Sequence, residues 1–204
     1  DPAQNLAKEA IKNKIPTDIE FFNLEYANKQ NIKYDLILCN NMFAHNANLE
    51  SIILGVFKLL DENGVFVFEN SYLLDILDKN LIDVFYHEHI HTHSLKPLAK
   101  FFRNFGMKIF DVERLPNQHG GSIRVFVCKN SDNRTVSNNV FDLFEKEKNI
   151  LYKLNLLQEK ANILSKNLKS CLEKFKYKTI DCFGYPAKTT TLFYLLNIQK
   201  NYIR

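Results

Sequence analysis

The segments YDLILCN at residues 34–40, NLESIILGVFKLL at 48–60 and VFVFEN at 65–70 decide the fold. The first and third are short apolar runs, which is typical of parallel strands covered on both faces. The middle segment has helical periodicity and begins at Asn48, a good helix-capping residue. Asn63-Gly64 predicts a turn before the second strand. Strand, helix and strand in this order predict a doubly wound α/β sheet.

The flanking segments extend this α/β pattern in both directions. Upstream, residues 3–14 read as an amphipathic helix and IEFFN at 19–23 as a short strand. Downstream, residues 95–105 read as a helix that ends at a glycine. The segments 107–115 and 122–129 are then predicted to be strands, joined by PNQHGG, that pair antiparallel at the end of the sheet.

A polar linker at 130–138 leads into a long helix, predicted over 138–176. Its apolar residues alternate three and four apart, which is a heptad-like stripe. Such a stripe fits a helix that packs along the domain or joins two domains, and it also fits a coiled-coil dimer seam. The stripe consists of Ile150, Leu154, Leu157, Ala161, Leu164, Leu168, Cys171 and Phe175.

The last segment has the order of a nucleotide-binding βα unit. TIDCFGY at 179–185 predicts a strand that runs into a glycine-containing turn and a helix start. We therefore divide the chain into a domain at 1–130, the linker helix at 138–176, and the start of a second Rossmann-like domain at 177–204.

Composition narrows the classes of protein. The chain has 204 residues, is 46% hydrophobic and has a net charge of +4. This size allows one or two domains, and the scattered lysines do not argue for a nucleic-acid partner. No apolar run of about eighteen residues and no leader of the secretory type is visible, so we expect neither a membrane-spanning helix nor a signal peptide. The expected location is the cytoplasm.

The stretch FYHEHIHTHSL holds a cluster of histidines, and all of them fall at odd positions. In an extended segment, the period of two would place them on one face of the chain. Imidazoles in such a cluster can bind Zn²⁺, Fe or Ni, move protons, or bind anions. The four residues are His87, His89, His91 and His93.

Further polar residues follow the predicted strands. Asn40 and Asn41 come directly after YDLILC, and His45 follows four residues later. Ligands in α/β folds bind at the carboxyl ends of strands, although asparagines there also start turns and His45 also suits a structural role. Asp1-Pro2 would end an earlier strand, where an acidic residue commonly binds the two ribose hydroxyls of an adenosine.

Taken together, the motifs resemble a known family. In order they are DPAQNLA, EFFN, YDLILCNNMFAHN, GVFVFEN, FYHEHIHTHSL, QHGGSIRVFV and FGYPAKTTTL. They are similar to those of the S-adenosylmethionine-dependent sugar C-methyltransferases, which act on nucleotide-linked 4-keto deoxysugars. The resemblance covers almost the whole chain, and the combination of YHEH, NNxxAH and HGGS makes it specific.

The resemblance implies a three-domain enzyme with an N-terminal zinc module, a class I methyltransferase domain and a C-terminal Rossmann-like domain. We expect this chain to be a fragment that lacks the zinc module, the first strand with its glycine-rich loop, and most of the C-terminal domain. A sheet without its first strand would leave apolar residues and an unpaired edge exposed. The expected fold is therefore an α/β, class I methyltransferase sheet with a long linker helix and the start of a second Rossmann-like domain. The oligomeric state stays open.

The resemblance also implies roles for individual residues. His89 is the expected base, and the other catalytic residues are Glu88, Tyr86 and His45. The residues expected to bind the cofactor S-adenosylmethionine are Asp1, Phe21, Phe22, Asn23, Asn40 and Asn41. The residues expected to bind the nucleotide-sugar substrate are His87, His119, Ser122, Gly184, Tyr185 and Lys188.

The implied reaction needs no metal. A base removes the proton beside the keto group, and the resulting enolate carbon attacks the methyl group of the sulfonium. The sequence leaves open the sugar, the nucleotide, the carbon and methylation at oxygen. Two departures from the family concern the substrate. Thr92 and His93 replace residues that are more often aromatic, and the loop at Gly184 is short. The alternatives are a non-catalytic remnant and a metal-binding protein built on the histidine cluster.

Overall fold

The structure is a computed structural model that describes residues 1–181, 183–184 and 186–197. The strands are β1 (Tyr34–Asn40), β2 (Leu60–Ser71), β3 (Met107–Leu115) and β4 (Ser122–Lys129). The first helices are α1 (Gln4–Lys12), α2 (Leu24–Asn28), α3 (Leu49–Leu59), α4 (Leu73–Lys79) and α5 (Leu95–Asn104). The later helices are α6 (Asn138–Lys146), α7 (Ile150–Glu173) and α8 (Thr189–Leu196).

The strands form one mixed sheet in the order β1-β2-β4-β3. β1 and β2 are parallel and connected through α3, whereas β4 is antiparallel to both β2 and β3. Asn48 caps α3 by accepting a hydrogen bond from the Ser51 amide. The predicted α/β class, the parallel β1–α3–β2 unit and the closing antiparallel pair are confirmed. The result is a Rossmann-like sheet that ends in the antiparallel manner expected of class I methyltransferases.

β2 begins earlier than predicted, at Leu60, and Asn63-Gly64 lies within it instead of forming a turn. The pairing with β1 skips residues here, from Tyr34 opposite Leu60 to Leu36 opposite Val65. This bulge keeps the chain extended where the sequence predicts reversal. Gly64 suits it because a Cβ atom there would lie 2.8 Å from the Tyr34 carbonyl oxygen.

The core on one face of the sheet is aromatic. The rings of Phe43 and Phe68 lie 4.9 Å apart, and Phe68 lies 5.5 Å from both Phe66 and Phe102. All four side chains are fully buried. Aromatic contacts of this kind add about 0.5–1.5 kcal/mol each beyond the burial of area. They fix the 3₁₀ turn Phe43–His45 and α5 against β2.

The predicted strand at 19–23 is wrong. The Asn23 side chain accepts a hydrogen bond from the Tyr26 amide at 2.8 Å and caps α2, and the Leu24 amide donates to Ser51 Oγ. Asparagine side chains compete with strand pairing by bonding to nearby backbone in this way. The segment is therefore an irregular approach to a short helix.

β1 is an edge strand among the described residues, and the expectation that both its faces are covered is also wrong. Leu36 and Leu38 share one face and are 54% and 62% exposed, whereas Cys39 is buried on the other. The sequence pattern indicates burial because the residues are apolar, but no described strand lies beyond β1.

The predicted long helix at 138–176 is two helices separated by a 3₁₀ turn at Glu147–Asn149. Of the apolar stripe, Leu157 and Ala161 are buried in a small cluster with Leu77 and Ile82. Leu154, Leu164 and Phe175 are between 42% and 49% exposed. α7 thus packs along the sheet domain through its middle, and a role of the remaining stripe in a dimer stays a prediction.

The described residues of the predicted strand at 179–185 form no strand, and Cys182 and Tyr185 lie outside the described residues. A strand needs a partner to pair with, and none of the described strands lies beside this stretch. The predicted helix does follow, as α8. Within the described ranges, no helix combines the length and apolarity needed to cross a membrane.

The exposed β1 edge predicts self-association of the isolated chain. Leu38→Lys should reduce it, because a charged residue on an edge strand opposes edge-to-edge pairing. The free energy of unfolding should change by no more than about 0.5 kcal/mol, as for other surface substitutions. Sedimentation of the two proteins measures the effect. Ile163→Lys on α7, at a residue 60% exposed, is the matched control. Equal association of the wild type and Leu38→Lys would contradict the prediction.

Candidate active site

Three loops meet where β1 and β2 end. The amide of Tyr72, directly after β2, donates to Gly121 O at 3.1 Å, and the amide of Leu73 donates to His93 O at 2.9 Å. The His91 amide donates to Ala44 O at 3.1 Å. The NNMFAHN, YHEHIHTH and QHGG segments are therefore joined by backbone hydrogen bonds at the carboxyl ends of parallel strands, the usual ligand side of α/β folds.

Tyr86 and His89 form a hydrogen-bonded pair. His89 Nδ1 lies 3.0 Å from the Val84 carbonyl oxygen, and its Nε2 lies 3.2 Å from the Tyr86 hydroxyl. Because a carbonyl only accepts, we assign the ring proton to Nδ1 and the lone pair to Nε2. Burial lowers the pKa of His89 below 6.5, with a smaller contribution from nearby His45. His89 is therefore neutral and able to accept a proton at pH 7.

His45 stands beside this pair. Its Nδ1 lies 2.8 Å from the Glu88 carbonyl oxygen, and its ring lies 4.9 Å from the His89 ring, edge on. The same reasoning places the proton of neutral His45 on Nδ1. Nε2 then donates a hydrogen bond only when the ring is protonated. Glu88 contributes its backbone carbonyl here, and its carboxylate lies 3.9 Å from His87 at the surface.

The prediction that all four histidines share one face is wrong. The His89 amide donates to Tyr86 O at 2.9 Å, so residues 86–89 form a turn instead of a strand. The turn exposes His87 and directs His89 toward His45, while the rings of His91 and His93 lie side by side, 5.8 Å apart. The described residues contain no group of three or more His, Cys, Asp or Glu side chains placed to hold a metal ion.

Asn70 is the residue of this site that sequence reasoning missed. It is 1% exposed, and both polar atoms of its amide are buried without a hydrogen-bond partner among the described residues. The Nε2 atoms of His91 and His93 are likewise buried without a hydrogen-bond partner among the described residues. The sequence signal that could have identified Asn70 is a carboxamide side chain at the end of the strand segment VFVFEN. Burial lowers the pKa of His93 to about 4, with a smaller effect from His91, so that imidazole is neutral.

The HGG loop is fixed by its glycines. A Cβ atom at Gly121 would overlap that of Asp75, which is buried and bound by Arg114 at 2.7 Å. Ser122, predicted to bind substrate, is buried, and its hydroxyl lies 3.4 Å from the Gln118 carbonyl oxygen. His119, also predicted to bind substrate, is exposed in the loop with a left-handed backbone at φ 48°.

A cavity of about 1080 Å³ lies between the histidine turn, α7 and α8. One wall carries Tyr86, His87 and His89, and the opposite wall comes from the two helices. Lys188, at the start of α8, lies 2.8 Å from Asp83 and so ties α8 to the turn region. Gly184 is exposed, and Tyr185 lies outside the described residues. The helix residues lining the cavity are Leu154, Asn155, Leu157, Gln158, Ala161, Thr190, Thr191 and Tyr194.

The predicted cofactor residues lie on the other side of β1. Phe22 and Asn40 line an apolar cavity of about 340 Å³ at the end of that strand. Phe22 also lines a second cavity of about 230 Å³ with Asp1. The Asp1 carboxylate accepts a hydrogen bond from the Ala3 amide at 2.8 Å.

The remaining cofactor candidates are less well placed. Phe21 is 69% exposed, and the Asn23 side chain is engaged as the cap of α2. Asn41 has a left-handed backbone at φ 52°, and its amide donates to Glu69 O at 2.9 Å. This hydrogen bond orients the chain as it leaves β1, so Asn41 turns the backbone toward the loop that carries His45.

Comparisons with known proteins find similarity to methyltransferases. Residues 117–204 match the family model described as C-methyltransferase C-terminal domain. The chain is 30% identical over 151 residues to C-methyltransferase NovU of Streptomyces niveus, which covers 72% of this chain and 36% of that protein. The chain thus spans about a third of this relative. The crystal structure of magnesium protoporphyrin IX methyltransferase from Synechocystis PCC 6803 with bound SAH is similar at 17% identity. It has a TM-score of 0.38 over 50% of this chain and 48% of that one.

Neutral, partly buried His93 predicts a loss of stability in acid. Its pKa is about 4 in the folded chain and about 6.5 when unfolded, so only the unfolded state gains a proton in between. Stability should therefore fall by up to about 1.4 kcal/mol per pH unit as the pH drops from 6.5 toward 4. Urea unfolding at several pH values measures this slope, and His93→Phe should make it shallower. His119→Phe, at an exposed ring, is the control, and an unchanged slope in His93→Phe would refute the assignment.

Proposed function

Because the chain belongs to a C-methyltransferase family, we propose that it forms the catalytic part of an S-adenosylmethionine-dependent methyltransferase acting on a carbon next to a keto group. The proposal treats the chain as part of a longer polypeptide, in keeping with its coverage of 36% of its relative. The observation that carries it is the neutral His89–Tyr86 pair, which faces the largest of the cavities described above.

The residues beside β1 fit the adenosine half of the cofactor. The cavity at Phe22 and Asn40 has a mainly apolar lining that includes one aromatic ring and one side-chain amide, which suits a purine ring. The neighbouring cavity at Asp1 presents carboxylates to ribose hydroxyls. When bound, S-adenosylmethionine supplies an electrophilic methyl group on a positively charged sulfur. In this proposal Asn40 and Asn41, at the end of β1, hold the side of the cofactor that faces the histidine turn.

In the proposed mechanism, His89 is the general base. Its Nε2 lone pair removes the proton from the carbon beside the keto group, and Nδ1–H stays bonded to the Val84 carbonyl oxygen, which fixes the ring. The Tyr86 hydroxyl, which donates to Nε2 in the free site, would turn to the substrate, which frees the Nε2 lone pair and gives the enolate oxygen a donor. His45 provides a second donor when protonated. The enolate carbon would bond to the methyl group as the methyl–sulfur bond breaks with its electron pair going to sulfur, and S-adenosylhomocysteine would leave.

We further propose a nucleotide-linked deoxysugar as the substrate. Its support is the size of the cavity, about 1080 Å³, and its mixed lining of apolar side chains, threonines and amides. Lys188, at the start of α8, is the cation proposed to meet a diphosphate, in exchange for its ion pair with Asp83. His87, His119, Ser122 and Gly184 are the remaining candidates for substrate contact.

Calorimetric titration with S-adenosylhomocysteine tests the cofactor proposal. The titration should be made with this chain and with a longer polypeptide that adds a neighbour to β1. We expect micromolar binding, about −8 kcal/mol, to the longer polypeptide and much weaker binding to this chain, because its β1 edge is open. Binding to neither protein would favour the alternative of a non-catalytic remnant.

Replacement of the base tests the mechanism. His89→Gln in the longer polypeptide should lower kcat by roughly 10²–10⁴-fold, the usual contribution of a general base, and leave the affinity for S-adenosylhomocysteine unchanged. The comparison variant is His87→Gln, because that ring also faces the cavity but is exposed. The His87→Gln substitution should change mainly KM. A His89→Gln enzyme with near-normal kcat would exclude His89 as the base.

A further inference from the structure

Glu147 is a buried carboxylate with three hydrogen-bond donors. It lies in the 3₁₀ turn between α6 and α7 and is 4% exposed. It accepts hydrogen bonds from the Tyr72 hydroxyl at 3.0 Å, from the Leu95 amide, and from the Lys96 amide at 3.0 Å. A charge this deeply buried is tolerated only when it is hydrogen-bonded in this way.

Two of these donors are the first amides of α5. Ser94 precedes the helix, but its side chain makes no capping hydrogen bond. The first amides of a helix lack partners within it, and the positive end of the helix dipole favours an acidic group there. Glu147 supplies this cap from 52 residues away in the sequence. Since α5 begins right after His93, Glu147 fixes the end of the histidine segment.

The third donor belongs to the end of β2. Burial, the charge of Glu147 and the hydrogen bond to it all raise the pKa of Tyr72, which keeps its hydroxyl protonated as a donor. The Tyr72 amide bonds to Gly121 O, and the next amide, of Leu73, bonds to His93 O. Glu147 thus holds the residue at which the HGG loop and the histidine segment join β2.

Glu147 also stands just before α7, which begins at Ile150. That helix supplies Leu154, Leu157 and Gln158 to one wall of the large cavity, and the other wall carries Tyr86 and His89. Glu147 therefore lies in the chain segment that continues into the α7 wall of the cavity. Its carboxylate is hydrogen-bonded to Tyr72 and to the start of α5, which adjoin the histidine segment of the other wall.

We propose that Glu147 is a positioning residue that sets the distance between the base His89 and the α7 wall of the substrate cavity. This proposal rests on the proposed function. It requires a carboxylate, because the amides of Leu95 and Lys96 donate to different oxygens of Glu147. In Glu147→Gln, one of these N–H groups would face the side-chain NH₂, a donor against a donor.

The test compares Glu147→Gln with Glu145→Gln in the longer polypeptide. Glu145 is exposed and pairs with Lys148 at the surface, so the control makes the same chemical change two residues away. In Glu147→Gln we expect faster hydrogen exchange at the Leu95 and Lys96 amides and shifted NMR resonances of the His89 ring. Turnover should fall by roughly 10- to 100-fold with a smaller change in KM, as for a misplaced catalytic group. Glu145→Gln should change none of these.

Tyr72→Phe keeps the proposal testable if Glu147→Gln fails to fold, since it removes only one of the three hydrogen bonds. It should shift the His89 resonances in the same direction by a smaller amount. Faster exchange at Leu95 and Lys96 with unchanged His89 resonances would reduce Glu147 to a helix cap and overturn the proposal. A wild-type polypeptide that transfers no methyl group would refute the proposed function, whereas the exchange and NMR measurements would still decide whether Glu147 positions His89.

Discussion

The backbone at the end of β2 is the constraint on which the site depends. β1 pairs with β2 as far as Asn40, which lies opposite Glu69, and β4 pairs with β2 as far as Ser71. The next two residues, Tyr72 and Leu73, therefore have no partner for their amides in these two strands. Buried amides must be hydrogen-bonded, and those of Tyr72 and Leu73 bond to carbonyls of Gly121 and His93. This requirement brings together two segments that lie far apart in the sequence.

Burial then sets the chemistry of what has been brought together. It lowers the pKa of His89 and of His93, so both rings are neutral near pH 7. For His89, which faces the cavity, neutrality means an available lone pair. In His93 and Asn70, burial leaves polar side-chain atoms without a hydrogen-bond partner among the described residues. Each such atom costs about 1–3 kcal/mol of stability. Proteins keep such costly groups mainly at functional sites.

Local periodicity predicted the elements whose neighbours are also local. β1, β3, β4 and α3 follow from apolar runs, turn residues and one cap. The errors arise where contacts outside the periodic pattern decide, some of them distant in sequence and some local. A bulge against β1 extends β2 through Asn63-Gly64, and a cap at Asn23 replaces a strand. The turn at 86–89 breaks the predicted common face of the histidines, because His89 bonds to Val84 and packs against His45. No local pattern marks Glu147 as a cap of α5.

The break between α6 and α7 has the same origin. Sequence periodicity favours one continuous helix, yet a 3₁₀ turn interrupts it at Glu147, whose carboxylate is buried and hydrogen-bonded. Leu157 and Ala161 can then pack on α4 and on the 3₁₀ turn at Ile82, while Leu154 and Gln158 face the cavity. The cavity therefore takes one wall from the sheet domain and the other from residues after 150. The cavity lining thus includes residues on both sides of the predicted boundary at 130, and the matched family segment, residues 117–204, also crosses that position.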